Sequence, residues 1–281
     1  MRQRGSQEAA GELLGEEGQA DPFVLRVMGP EDAAEVFALD EDVFLSQNVL
    51  FEFIKMTRKA WNIWEEYDTV GCIPSGLSLV IRDRTQDGLL VGFLLVNKHN
   101  LNREPGKARV ERVIAEAPGW GTLAEVAVPT IIGAVRNPSY GHACWLTHRT
   151  CRIVAGGTRR GYEGRGLALR LRAKAVELAS SKGYDRLIVE TVSGATEHIY
   201  RDKLGFQVLA STPFKEYKRP DGSQPFKDLG EDLNFTVLQK VVRERPVVDS
   251  KVWSPFIMLG LVVRRACLGR LCQCICCCCQ C

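Results

Sequence analysis

The chain has 281 residues, 45% of them hydrophobic and 25% charged, with a net charge of +3. That apolar share is enough for a sizeable core, so a wholly disordered or fibrous chain is excluded. A balance of 37 basic against 34 acidic residues leaves no electrostatic footprint for nucleic acid. Residues 1–20 combine Glu8, Glu12, Glu16 and Glu17 with Gly, Gln and Ala. They lack the apolar core of about 7–15 residues that a secretory signal needs, and are read as a disordered leader.

Phe23-Val24-Leu25-Arg26-Val27 predicts a first strand, closed by Gly29-Pro30. Glu31 to Leu39 predicts a helix, since Pro30 sits where helices tolerate proline and acids fill the first turn. Apolar residues at helical spacing from Val49 to Trp64 predict a second, longer helix. Leu77 to Arg82 and Leu89 to Val96 are β-rich runs separated by Thr85-Gln86-Asp87-Gly88, a hairpin signal. Asn97 to Tyr140 mixes helix and loop signals. Cys144 to Thr158 predicts a strand, Leu167 to Ser181 a helix stopped by Gly183, and Arg186 to Val192 an apolar strand. A short helix over Ala195 to Lys203 and strands at Phe206 to Leu209 and Phe235 to Val242 complete one mixed α/β domain.

The segment with chemical content is Arg159-Arg160-Gly161-Tyr162-Glu163-Gly164-Arg165-Gly166-Leu167-Ala168. It joins a strand to a helix. A glycine-rich turn there exposes backbone N–H groups, and the helix N-terminus adds partial positive charge, which suits a pyrophosphate. Glycine turns before helices are common, and most bind nothing. About thirty residues on stands Glu197-His198-Ile199-Tyr200-Arg201-Asp202-Lys203-Leu204-Gly205-Phe206.

Together the two segments resemble the GCN5-related N-acetyltransferase (GNAT) superfamily. Its pyrophosphate loop has the form Gln/Arg-x-x-Gly-x-Gly/Ala, and a later helix ends in a Tyr-x-x-x-Gly-Phe-like stretch. Here Glu163 to Ala168 fills the loop, and Tyr200 to Phe206 fills the second motif with one extra residue. The motif resemblance covers Arg152 to Phe206, and a looser one covers Asp21 to Val242. It implies an α/β fold, a single GNAT-like domain with a mixed, mostly antiparallel central sheet flanked by helices. The implied organisation is a leader over 1–20, the acetyltransferase domain over 21–246 and a Cys-rich tail over 247–281.

The resemblance implies transfer of an acetyl group from acetyl-CoA to a primary amine. Ala155 and Thr158 on the strand, with Arg160, Gly161, Glu163, Gly164, Arg165, Gly166, Leu167 and Ala168, are the implied cofactor-binding residues. Backbone N–H groups around Ala155 to Thr158 would polarise the thioester carbonyl. Tyr200 matches the family's general acid; a core tyrosine on a short helix is the bland alternative. Asp40-Glu41-Asp42 looks like the Asp-Glu-Pro-Leu segment of insect-type arylalkylamine N-acetyltransferases, which makes Glu41 the implied base. His142 and His148 are rivals. Ser193 reads as a helix N-cap. Two departures stand out: Glu163 occupies the first loop position, and Asp42 replaces the proline.

A small amine is the leading acceptor, and a protein N-terminus or lysine the next. Phe51, Phe53, Trp61, Trp64 and Tyr67 suit an arylalkyl pocket and suit an ordinary core equally. A catalytically inactive acyl-CoA-binding protein is a third reading, kept open by Glu163 and by the absent proline after Glu41. Cys72, Cys144 and Cys151 serve the first 266 residues, and the other eight of the 11 cysteines crowd into Cys267 to Cys281. The body therefore reads as a reduced, cytoplasmic domain. The tail suits S-palmitoylation and membrane attachment, soft-metal binding, or a low-complexity extension without a role.

Overall fold

β1 (Phe23–Val27), β2 (Leu79–Asp83) and β3 (Leu89–Lys98) form an antiparallel meander whose middle strand is buried on both sides. The computed structural model describes residues 21–65, 71–98, 107–137 and 149–243. The turn from β2 to β3 uses Asp87 (φ 54°) and Gly88 (φ 73°), the two left-handed residues that reverse a hairpin. β4 (Thr150–Thr158) pairs antiparallel with β3 and parallel with β5 (Arg186–Thr191). β7 (Asn234–Val241) returns antiparallel to β5, and β6 (Gln207–Pro213) closes the far edge. The seven described strands run in the order β1-β2-β3-β4-β5-β7-β6.

One face of the sheet is covered by α6 (Leu167–Ser181), whose Leu167, Leu171, Ala175 and Ala179 recur at helical spacing and are buried on Ile81, Leu94, Ile153 and Val189. Each buried leucine contributes about 1.5–3 kcal/mol by leaving water. The other face carries α1 (Ala33–Gln47), α2 (Val49–Phe53), α3 (Arg58–Glu65), α4 (Lys107–Glu116) and α5 (Gly119–Arg136). Aromatic contacts knit it: Phe44 stacks on Trp61 at 4.9 Å, and Trp64 meets Trp120 at 4.8 Å. The connection from β6 to β7 adds Phe214, Phe226 and Leu229 to this core. Asp32, wholly buried, ties the start of α1 to the sheet by accepting from Arg26 at 2.7 Å and Arg82 at 2.8 Å. Burial pushes its carboxyl up, but those hydrogen bonds prevail and hold it below the usual range.

Several sequence expectations are corrected. The helix expected to stop at Leu39 runs on to Gln47, so Asp40-Glu41-Asp42 lies inside it rather than after it. Val36, Leu39, Asp40 and Phe44 form one buried stripe, with no Gly or Pro to end the helix. The single helix expected over Val49 to Trp64 is two. Lys55 takes φ 55° between them, and Asn48 and Thr57 accept first-turn N–H groups of α2 and α3. The ambiguous stretch after Asn97 contains α4 and α5, the latter running through Pro129. The described part of the expected Cys144 to Thr158 strand begins at Thr150. The leader, the tail, Tyr67, His142 and His148 lie outside the described residues. No described helix is long and apolar enough to cross a membrane.

Candidate active site

β4 and β5 are bonded only from Thr150 to Ile153 and from Arg186 to Val189. Beyond Ile153, β4 stays with β3 as far as Thr158 but has no β5 partner. A bulge at Val154, which no β3 residue faces, bends the strand at that point. Two parallel strands therefore part at their C-terminal ends, the position at which open α/β sheets take ligands. Gly156 and Gly157 let neighbours close on this segment: a Cβ at Gly157 would lie 2.8 Å from both Cγ atoms of Val43 on α1. Ala155 is buried, and Thr158 ends the strand half-buried.

The loop of Arg159 to Gly166 follows directly. Gly161, Gly164 and Gly166 have φ of 87°, 73° and 75°, a region that only glycine enters without strain. A Cβ on any of the three would meet nothing within 4 Å, so the space beside the loop is open. Gly166 precedes α6 without a capping side chain, and the helix begins at Leu167 and Ala168. Its first-turn N–H groups thus keep their capacity for an anion. Arg160 donates to the Ser46 carbonyl at 2.9 Å, which ties the loop to α1. Arg165 donates to the Gly161 carbonyl and lies 4.6 Å over the Tyr162 ring, whose hydroxyl donates to Asp83 at 3.1 Å. Glu163 turns back onto the loop and accepts the Gly161 N–H at 2.6 Å.

Tyr200 belongs to the α6 face, in one cluster with Leu167, Leu171, Ile153 and Val189. It is 1% exposed, its ring packs on Phe206 at 4.9 Å, and the Arg172 guanidinium lies 5.2 Å above it. The residue therefore lies in the core beneath α6, against Arg172 of that helix and Phe206. Glu41 is on the opposite face, on α1, where it forms an ion pair with Arg58 on α3 at 3.0 Å. Asp40 beside it is fully buried. Ser193 caps α7 (Gly194–His198), accepting the Thr196 N–H. Of the aromatic candidates, Phe51, Trp61 and Trp64 are core, and Phe53 packs on Phe226. Thus Tyr200 and the helix that the loop opens share one face of the sheet, while Glu41 lies on the other, on α1.

Sequence reasoning passes over Arg152 and Glu190. Arg152 donates to Glu190 at 2.9 Å between β4 and β5, both almost wholly buried, just where the pairing ends. The signal was present: each is a charge set in an apolar strand, and strand alternation puts both on the face away from Ile153 and Val189.

Neither a protein-family model nor a curated protein matches this sequence. Solved structures do. The arylalkylamine N-acetyltransferase 2 of Aedes aegypti superposes with a TM-score of 0.63 at 14% identity, covering 79% of this chain and all of that one. The C-terminal condensation domain of Ebony, in complex with beta-alanyl-dopamine, gives 0.56 at 16% identity over 78% of this chain and 98% of its own. The polyamine N-acetyltransferase of Drosophila melanogaster gives 0.55 at 15%, over 78% and 99%. The chain has the fold of the GNAT acetyltransferases.

Proposed function

We propose that this chain is an acyl-CoA-dependent N-acyltransferase, moving an acetyl group from acetyl-CoA to the primary amine of a small molecule by direct attack in a ternary complex. The observation that carries this reading is the parting of β4 from β5 immediately before a three-glycine turn that opens α6. Acetyl-CoA supplies an activated thioester carbon. The loop N–H groups from Gly161 to Ala168 hold its pyrophosphate, and the unpaired end of β4, Ala155 to Thr158, polarises the carbonyl. The ammonium of the acceptor loses its proton to Glu41 once Arg58 swings aside. The amine nitrogen then bonds to the carbonyl carbon and gives its second proton to solvent, the C–S bond breaks, and the Tyr200 phenol protonates the departing sulfur. Solvent restores the phenol.

The proposed organisation is the leader over 1–20, the catalytic domain over 21–246 and the Cys-rich tail over 247–281. Acceptors of arylalkylamine or polyamine type are suggested by the named substrates of the fold's neighbours. A second reading, an acyl-CoA-binding protein without turnover, is favoured by the burial of Tyr200 and the pairing of Glu41 with Arg58.

The test is the full-length chain with acetyl-CoA and a panel of arylalkylamines, polyamines and peptides, products being identified by mass spectrometry. The expected result is an N-acetylated small amine, with Tyr200→Phe lowering turnover about 10²–10⁴-fold. An acetylated peptide alone moves the acceptor class to protein. Binding of CoA with no acetylated product overturns catalysis in favour of the second reading.

A further inference from the structure

The pyrophosphate loop carries an anion of its own. The Glu163 side chain is exposed, yet it folds back so that its Oε2 accepts the Gly161 N–H at 2.6 Å. Gly161 adopts φ 87° there, and its N–H has this carboxylate as its hydrogen-bond partner. The cations alongside are committed elsewhere. Arg159 donates to the Leu90 carbonyl, Arg160 to the Ser46 carbonyl and Arg165 to the Gly161 carbonyl. Glu163 forms no ion pair among the described residues.

We propose that Glu163 is a resident competitor of the pyrophosphate: its carboxylate occupies a loop N–H that the ligand needs, and sets how tightly pyrophosphate-bearing acyl donors are held. The inference rests on the acetyl-CoA reading above. A phosphate entering the loop displaces the carboxylate from Gly161 and then shares the turn with it, two anions at short range. Removing the charge frees the N–H and ends the repulsion. Because the glutamate is exposed, salt screens the effect.

The experiment measures CoA binding to the full chain by calorimetry for the wild type, Glu163→Gln and Glu163→Ala, at low and high salt. Pantetheine, which ends before the pyrophosphate, is the comparison ligand. Both variants are expected to bind CoA about tenfold more tightly at low salt, a loss of one charge-assisted contact and its repulsion. The gain should shrink at high salt, and pantetheine should bind all three proteins alike. In turnover, KM for acetyl-CoA should fall while KM for the amine stays unchanged. Equal CoA affinity in the wild type and both variants overturns the competitor while leaving the cofactor reading intact. A gain shared by pantetheine also overturns it, since the effect then lies outside the pyrophosphate. If none of the three binds CoA, the cofactor reading falls and the competitor falls with it.

Discussion

The two faces of the sheet are built on different principles. On one, α6 covers the apolar side chains of β2 to β5 through a regular stripe of Leu167, Leu171, Ala175 and Ala179. On the other, α1 to α5 and the β6–β7 connection form a patchwork joined by aromatic contacts, with Phe51 stacked on Trp120 and Phe53 tilted against Phe226. The regular face begins at the glycine loop, so its geometry follows from a few adjacent residues. The patchwork face, which carries Glu41, depends on contacts between segments far apart in sequence. In the proposed enzyme, a common donor is held by the local device and the acceptor is chosen by the distributed one.

Perturbations of the seam between the faces sharpen this contrast. The largest effect is expected at the buried pair where β4 and β5 part. Arg152→Met removes the guanidinium that donates to the buried Glu190 and should cost about 3–5 kcal/mol. Adding Glu190→Met should recover most of that loss, both read from denaturant unfolding. If the single change is harmless, the seam is wetter than the geometry indicates.

A smaller effect separates strand glycine from loop glycine. Gly157→Ala drives a methyl against Val43 and should cost about 1–3 kcal/mol, by overpacking. Gly164→Ala meets no neighbour, so only its left-handed backbone is penalised, by about 1 kcal/mol. CoA binding by calorimetry should suffer more from the loop change than its small stability cost implies.

The smallest effect lies at Asp202, close after α7. Hydrogen bonds from Arg201 and then His198 hold its carboxyl at about 2, below the ordinary 3.8. A depressed folded value means that its stabilisation is full above 3.8 and is lost as pH falls through about 2. The melting temperature of Asp202→Asn should therefore sit slightly below wild type at pH 7, with the gap closing as pH approaches 2.

The same contrast explains what the sequence reveals. β1 and α6 match their expected limits, Phe23–Val27 and Leu167–Ser181, because each combines a clean period with a glycine stop. The extension of α1 is hidden because a buried aspartate at Asp40 reads as surface, although it continues the stripe. The break near Lys55 was marked by Asn48 and Thr57, cap residues masked by an unbroken apolar rhythm. In α5, Pro129 and three glycines argue against a helix, and burial of Trp120, Leu123, Val126 and Ala127 overrides them. At the site, the glycine spacing marked the turn that joins β4 to α6 but not what it binds. The inward turn of Glu163 was not legible, since it depends on side-chain direction; Arg152 and Glu190 showed as charges in apolar strands, though not as each other's partner.

Cys151 stands beside Arg152 on the opposite face, at the bottom of the α6 core, and it is fully buried. Burial pushes its thiol up to about 12. Nucleophilic and oxidative chemistry of cysteine runs through the thiolate, so at neutral pH this sulfur is almost wholly protonated and shielded. Alkylating reagents and mild peroxide should pass it by while the fold holds, and its first modification would report unfolding of the sheet.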